Sequence, residues 1–587
     1  MATELKNSKI EESDPLDFFS PLTNKKVLVI ISIVSCIIYF NVLFNGFVWD
    51  DIPFILNNPD VHKFNLLNFF NENSFNREGY YRPLSAMYFS VMYALFGTNA
   101  FFYHFFQVLL HTLNTFLVFM LLQRFFKKQV ALILTLFFLL HPIQVESVAF
   151  IGASQSVLFF FFGIIALSLS IKEKLQTKSF FLIALLLLMS LLFKETAVIF
   201  IVVILAYQYI FKKERFIKFF SVSSIVIALY SVIRFVIGGV YFEKIESVPI
   251  AKLTLLERLV NIPEIISYYL KTVLFPLNLA VNQQWTVNNL TFQQFYIPLV
   301  ISILFLFLLF VMGSFSYKKN KEIHRVFIFF TFWFILSFCM LLQIFPLDMT
   351  VADRWFYLPM VGLVGMTGCI AQIVKVQNKT ISSVILIGII ILLSILSIRT
   401  MVRNVNWNSQ TSLYAHDILI EDNYENRNNY AAGLSADGRW QDALINIKKS
   451  VEYYPYESNL RGLGVAYSRT GNNDKAIEYL NKALQSNEYT IANPHKHERE
   501  TYLYIAIYHN LYGSLSDANH ISIKGIEDYP DSFELWVLLA ISKYNSQDQQ
   551  GALNAAEKAY SLAPNKQTTY ILEKIGKQQP LSVNDVL

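Results

Sequence analysis

Long unbroken apolar runs fill the first 403 residues and vanish from the rest, and no other feature restricts the fold so far. Crossing about 30 Å of hydrocarbon takes roughly 20 apolar residues in a helix. Backbone N–H and C=O groups find no water there, so the segment must satisfy them internally. Such runs lie near 26–46, 99–122, 130–147, 148–170, 179–193, 196–211, 216–239, 293–316, 325–345, 355–375 and 380–400. Two further stretches, 83–97 and 258–276, are apolar but broken. The second carries Arg258, Asn261, Pro263, Glu264 and Lys271, poor material to face lipid. A hydrophobic fraction of 54%, with 53 phenylalanines and only 16% charged residues, fits a chain whose larger part is solvated by a bilayer.

Loop charge orients these runs. Basic clusters stand at Lys25-Lys26, Arg124/Lys127/Lys128, Lys172/Lys174/Lys178, Lys212/Lys213/Arg215/Lys218, Lys318/Lys319/Lys321/Arg325 and Lys375/Lys379. All six fall on one side only if neither broken stretch crosses. The result is about 11 transmembrane helices, with residues 1–24 as a cytoplasmic tail and the C-terminal part on the outer side, in periplasm or lumen. The N-terminus lacks the basic region and small-residue cleavage site of a signal peptide, so the first run is expected to stay as an anchor. Cys36, Cys339 and Cys369 all lie in apolar runs, which implies no disulfide framework. A net charge of +5 is small for this length and speaks against a nucleic-acid partner.

From 404 to 570 the pattern changes to a helical repeat. Ala431, Leu434, Ala443, Ile447, Ser450 and Pro455 are matched by Gly464, Tyr467, Ala476, Leu480 and Ala483, then by Ala506, Ala518, Ser522, Gly525 and Pro530. Trp536, Ala540, Ala552, Ala556, Ala559 and Pro564 close the series. A period near 34 with small residues at these offsets is the tetratricopeptide (TPR) pattern: paired helices pack closely and a proline ends each unit. About four units result, with an insertion around 486–497 and a C-terminal tail at 571–587. The fold class is therefore all-α, a polytopic membrane domain over 25–403 followed by an α-solenoid.

On this topology the polar residues at outer span ends fall on one leaflet. The first outer loop, 47–98, holds Asp50, Asp51, Tyr81 and Arg82. The second outer turn holds His141 and Glu146, with Gln155 two turns further on; the later turns hold Lys194-Glu195 and Asp353-Arg354. Carboxylates at a membrane rim are seldom without a partner or a task. Each group also has a plain structural reading: a solvated loop end for the acid pair, an internal ion pair for Lys194-Glu195, a border salt bridge for Asp353-Arg354. Taken together, an acid acting as general base toward a hydroxyl and Arg82, Lys194 and Arg354 neutralising a phosphate fit sugar transfer from a lipid phosphate carrier.

Short motifs in fixed order carry a resemblance. The WDD after span one, YYRPL at 80–84, HPIQVESV at 141–148, FKE at 193–195, PLNL at 276–279 and ADRWFYLP at 352–359 resemble the TMTC family. These are transmembrane, TPR-containing O-mannosyltransferases of the GT-C superfamily and their bacterial relatives. The resemblance runs from about residue 25 to the last repeat. It implies a GT-C glycosyltransferase fold, a polyprenyl- or dolichyl-phosphate sugar as donor, and inversion at the anomeric carbon. It implies that Asp50 or Asp51 is the base toward a Ser or Thr hydroxyl of a protein acceptor gripped by the repeats. Glu146, with His141, Tyr81 and Gln155, would position acceptor or sugar hydroxyls, and Arg354, Lys194 and Arg82 would take the leaving phosphate. No cofactor follows from it, and a divalent metal stays open, since some GT-C enzymes hold one on outer-loop acids. Gln144 and Gln155 depart from the histidine or acidic character of animal members, which bears on sugar and acceptor rather than on reaction type.

Two other classes remain in view. A transporter or flippase would place ionisable residues at the midplane of paired, broken helices, whereas here the charges sit at span ends. A membrane-anchored TPR scaffold would need neither eleven spans nor a loop dense in Asp, Tyr and Arg. Low Gly and Cys with abundant Asn, Lys, Ile and Phe points to an AT-rich bacterial genome, hence an inner membrane with periplasmic repeats, or lumenal repeats if the source is eukaryotic.

Overall fold

The computed structural model describes residues 22–71, 80–241, 248–374, 378–486 and 497–585. Most of the expected N-terminal tail and of the insertion around 486–497 therefore lie outside the described residues. Among the described residues the chain is helical, with one isolated antiparallel bridge between Gln283 and Val351. The described residues divide into two compact units, the first running up to 409 without 248–252, the second of 248–252 and the described residues from 410 on.

The first unit is the apolar one. Eight of its helices are long and apolar enough to cross a membrane, and nine are if the bent pair Lys128–Leu140 and Pro142–Ala149 counts as one. The eleven expected crossings are reached only by adding Thr177–Phe193 and Glu195–Phe211, which are shorter. Thr177–Phe193 has 17 residues and spans about 25 Å at 1.5 Å per residue. The pair bends by 54° because Pro142 lacks an N–H and its ring excludes the preceding helical turn. The helix Leu255–Leu274 is amphipathic and is not among the candidate spans. It starts in a capping box of Thr254 and Glu257, turns Asn261, Ile265 and Tyr269 inward, and leaves Leu255, Leu256 and Leu259 exposed.

Helices meet where side chains are small. A Cβ on Gly362 would lie 2.6 Å from the backbone nitrogen of Phe334, so Asp353–Ile373 and Lys321–Cys339 approach at backbone distance, as membrane helices do at glycine. By contrast Lys379–Asn406 exposes Ile387, Ile390, Ile391, Ile395 and Ile398, a face suited to lipid. Polar clamps fix the far end of that helix. Thr400 donates to the Leu140 carbonyl at 2.7 Å, Asn404 to that of Ile38 at 2.9 Å, and Asn45 back to that of Asn404 at 3.1 Å. Arg399 donates to the carbonyls of Pro276 and Leu277, at 3.0 and 2.8 Å. In low dielectric each such bond is costly to leave unmade, so the loop after Phe44 starts from a fixed point.

The second unit stacks four helix pairs: Tyr424–Ala436 with Trp440–Tyr453, Glu457–Arg469 with Asn473–Gln485, Arg499–Tyr512 with Leu515–Asp528, and Phe533–Asn545 with Gln549–Leu562. Its core joins Ala431, Leu434, Ala443, Leu480, Ala506, Ala540, Ala552 and Ala556, the residues of the 34-residue pattern. A further helix, Lys566–Gly576, buries Ile571 and Ile575 on that core. It runs through residue 570, so the packed end of the array lies beyond the boundary drawn from the repeat alone.

Candidate functional site

The acid pair sits in a tight turn. Trp49 has φ +53°, a left-handed backbone rarely taken by a bulky residue. Asp51 is helical at φ −59°, ψ −33° and leads into a short π-helical turn, Ile52–Leu56. Its carboxylate is fully buried and accepts two backbone bonds, from Val48 N–H at 3.0 Å and from Gly152 N–H at 2.6 Å. Burial pushes its pKa well above the ordinary carboxylate range, against those two N–H groups. Asp51 thus staples the first outer loop to the start of the helix Ile151–Ser170. Glycine is required there, since a Cβ on Gly152 would lie 3.3 Å from an Asp51 oxygen and 2.5 Å from the Phe150 ring. Asp50 is 9% exposed, and its charge acts on Arg354.

Glu146 and Arg354 form one buried pair. Arg354 donates to Glu146 through its backbone N–H, at 3.1 Å, and through its guanidinium. The two are 208 residues apart in sequence. Asp353 instead accepts from the Tyr268 hydroxyl at 2.9 Å, so the border salt bridge between the neighbours Asp353 and Arg354 is replaced by long-range partners. The Arg354 guanidinium lies 5.2 Å from the Trp49 ring centroid, and Trp49 stacks on Phe150 at 5.0 Å.

Lys194 and Glu195 likewise part company. Glu195 takes Arg82 through both oxygens, at 2.9 and 3.2 Å, and Arg234 stands 3.9 Å away. Arg82 also donates to Gln155 at 2.8 Å and lies over the Tyr80 ring at 4.2 Å. Lys194 is 8% exposed and donates to the Ser156 hydroxyl at 3.0 Å, with no carboxylate in contact among the described residues. Burial first, then the charges of Arg82 and Arg354, draw its pKa down to about 7, while Glu195 and Asp348 act the other way.

Asp50, Glu146, Gln155, Arg82, Lys194 and Arg354 therefore share one end of the bundle, linked directly or by their fields. Two expected site residues lie apart from these contacts. Tyr81 donates to the Phe70 carbonyl at 2.8 Å and packs with Leu192 and Val240; burial pushes its pKa up to about 12. His141 holds the bend, one ring nitrogen 3.0 Å from the Val273 carbonyl and the other accepting from Ile143 N–H at 3.2 Å. Sequence reasoning passed over Arg234, Ser156, Asp348 and the conformation of Trp49. Arg234 did carry a signal, as the lone charged residue near the end of the apolar run 216–239. Ser156 and Asp348 carried none. Among the described residues no three His, Cys, Asp or Glu side chains are grouped to hold a metal ion.

The tetratricopeptide repeat family matches residues 462–490. Protein O-mannosyl-transferase F38B6.6 of Caenorhabditis elegans is 25% identical over 449 residues, covering 73% of this chain and 63% of that protein. Protein O-mannosyl-transferase TMTC1 of Homo sapiens is 24% identical over 501 residues, covering 73% and 55%. Protein O-mannosyl-transferase TMTC3 of Mus musculus is 32% identical over 132 residues, covering 21% and 14%. The chain thus spans less than two thirds of the length of the curated relatives it matches. Those relatives are protein O-mannosyl-transferases of the TMTC family, and their similarity extends over most of this chain, as the motifs led one to expect.

Proposed function

We propose that this relative of the TMTC-family protein O-mannosyl-transferases moves a sugar, taken as mannose, from a polyprenyl-phosphate carrier to a Ser or Thr hydroxyl of a protein. The observation that carries the reading is Lys194. A buried lysine with a serine hydroxyl as its partner, flanked by two arginines already committed to Glu146 and Glu195, is a cation waiting for an anion. Burial makes the charged form of Lys194 costly and draws its pKa down to about 7, and an entering phosphate restores the charge.

The acceptor oxygen attacks the anomeric carbon while the bond from that carbon to the phosphate oxygen breaks. The hydroxyl proton passes to Asp50. The electron pair leaves on the polyprenyl phosphate, whose charge Lys194 and Arg354 stabilise in a site of low dielectric. A single displacement inverts the anomeric centre. Asp51 holds the loop, since its oxygens are already occupied by backbone N–H groups. Glu146 holds Arg354, and Arg82 with Gln155 and Glu195 supports the phosphate end from behind. The displacement as written calls on no metal or cofactor. The repeats hold the acceptor in their concave face. Loop charge supports repeats on the outer side, and abundant Asn, Lys, Ile and Phe supports an inner membrane with that side periplasmic.

The test uses the full chain in membranes with radiolabelled polyprenyl-phosphate mannose and a Ser/Thr-rich acceptor protein. Wild type transfers label. Asp50→Asn loses about 10²- to 10⁴-fold, the usual worth of a general base, and Lys194→Met loses donor affinity. Full activity in both variants refutes the assignment. A wild type that transfers no lipid-linked sugar but moves the lipid across the bilayer favours the transporter.

A further inference from the structure

We infer that Trp49 is a positioning residue that sets the Asp50 loop and the Arg354 guanidinium together, an inference that rests on the reading above. Three observations converge on it. Its backbone sits at φ +53°, a conformation that costs a bulky residue of order 1–3 kcal/mol and persists only where surroundings enforce it. Its ring stacks on Phe150 at 5.0 Å, and Phe150 stacks in turn on the buried Trp407 at 5.6 Å. The Arg354 guanidinium stands 5.2 Å from the same ring, within reach of a cation–π attraction. Trp49 thus touches Phe150, which itself rests on Trp407 at the end of the last long helix, and the arginine that Glu146 holds.

The left-handed twist has a direct geometric effect. It reverses the chain just before Asp50, so that Asp51 can turn back to the Val48 and Gly152 N–H groups while Asp50 is carried to the side where Arg354 lies. Gly or Asn would relax the backbone, but either would leave Arg354 only the Trp355 ring, 5.6 Å away, in place of two. Trp49 touches neither reacting atom in this reading. Its effect is to hold base and phosphate-facing cation at one spacing, and a misplacement of about 1 Å costs on the order of 100-fold in rate.

Two variants separate ring from backbone. Trp49→Asn keeps the left-handed turn, which Asn tolerates, and removes the ring. Trp49→Phe keeps a ring at the same backbone cost. In the full chain, Trp49→Asn is expected to lower kcat about 100-fold with KM for the lipid-phosphate donor changed less than about 3-fold. Trp49→Phe restores kcat to within about 5-fold. Amide exchange over 46–56 and 144–153 is measured alongside; it speeds up in both segments for Asn and stays at the wild-type rate for Phe. Wild-type kcat in Trp49→Asn overturns the inference, and so does a loss confined to thermal stability. If wild type itself transfers no sugar while exchange behaves as stated, the transferase reading falls and the coupling of the two loops stands.

Discussion

On the proposed reading Asp50 is the base and Asp51 holds the loop, and substituting each tests the two roles separately. In Asp51→Asn an amide NH2 replaces one of the oxygens that accept from Val48 and Gly152. Whichever way the amide turns, one buried backbone N–H then faces a donor. An orphaned buried donor costs about 1–3 kcal/mol, and Asp51→Ala, which orphans both, costs roughly twice that. Asp50→Asn keeps the shape of the side chain and removes the proton acceptor, so transfer falls by about 10²- to 10⁴-fold. The pH dependence gives a second handle. Burial raises the Asp51 pKa in the folded state above an unfolded value of about 3.9. The folded chain therefore binds more protons in the window that opens at about pH 3.9 and extends up to the raised value, and there stability falls as pH rises. Asp51→Asn flattens that slope. The assay is thermal unfolding of the full chain in lipid nanodiscs across pH 4 to 8, paired with single-turnover sugar transfer. Asp51→Asn with wild-type stability and slope but no transfer, beside an active Asp50→Asn, makes Asp51 the base and refutes the reasoning.

Other outcomes follow from the same contacts. Glu146→Gln breaks a buried pair and leaves Arg354 uncompensated, so unfolding is easier by about 3–5 kcal/mol and transfer falls with it, read by the same two assays. Lys194 has a pKa drawn down to about 7, so its charge fades as pH climbs through that value; KM for the lipid-phosphate donor rises from pH 6 to 8, and Lys194→Arg, charged throughout, removes that dependence. Gly464→Ala puts a methyl 2.7 Å from Leu480 Cγ; the overpacking costs about 1–3 kcal/mol, offset by up to about 1 kcal/mol of helix propensity, and chemical denaturation of the repeat unit shows a lower midpoint.

Much of the architecture was legible in the chain because it depends on periods. Apolar runs near 20 residues require membrane helices whatever their order, and alanines and glycines recurring near 34 require a stacked array. The regularity failed where a single residue altered a local rule. Pro142 bent one expected span, and the turn at Lys194 joins two helices short enough that length alone leaves their crossing open.

The sequence by itself determined which residues stand at span ends: Asp50, Glu146, Lys194 and Arg354 are visible as charges beside hydrocarbon. Their pairing came only from tertiary structure. Sequence neighbours Lys194-Glu195 and Asp353-Arg354 read as local ion pairs, yet Glu195 turns to Arg82 and Arg354 to Glu146, each more than 100 residues away. Coulomb energy in a dry interior depends on separation in space and on what water is excluded, and neither is written in chain order. The same physics distinguishes the surroundings of the two acids. Asp51 is committed to the Gly152 N–H, 101 residues away, whereas the charge of Asp50 acts on Arg354.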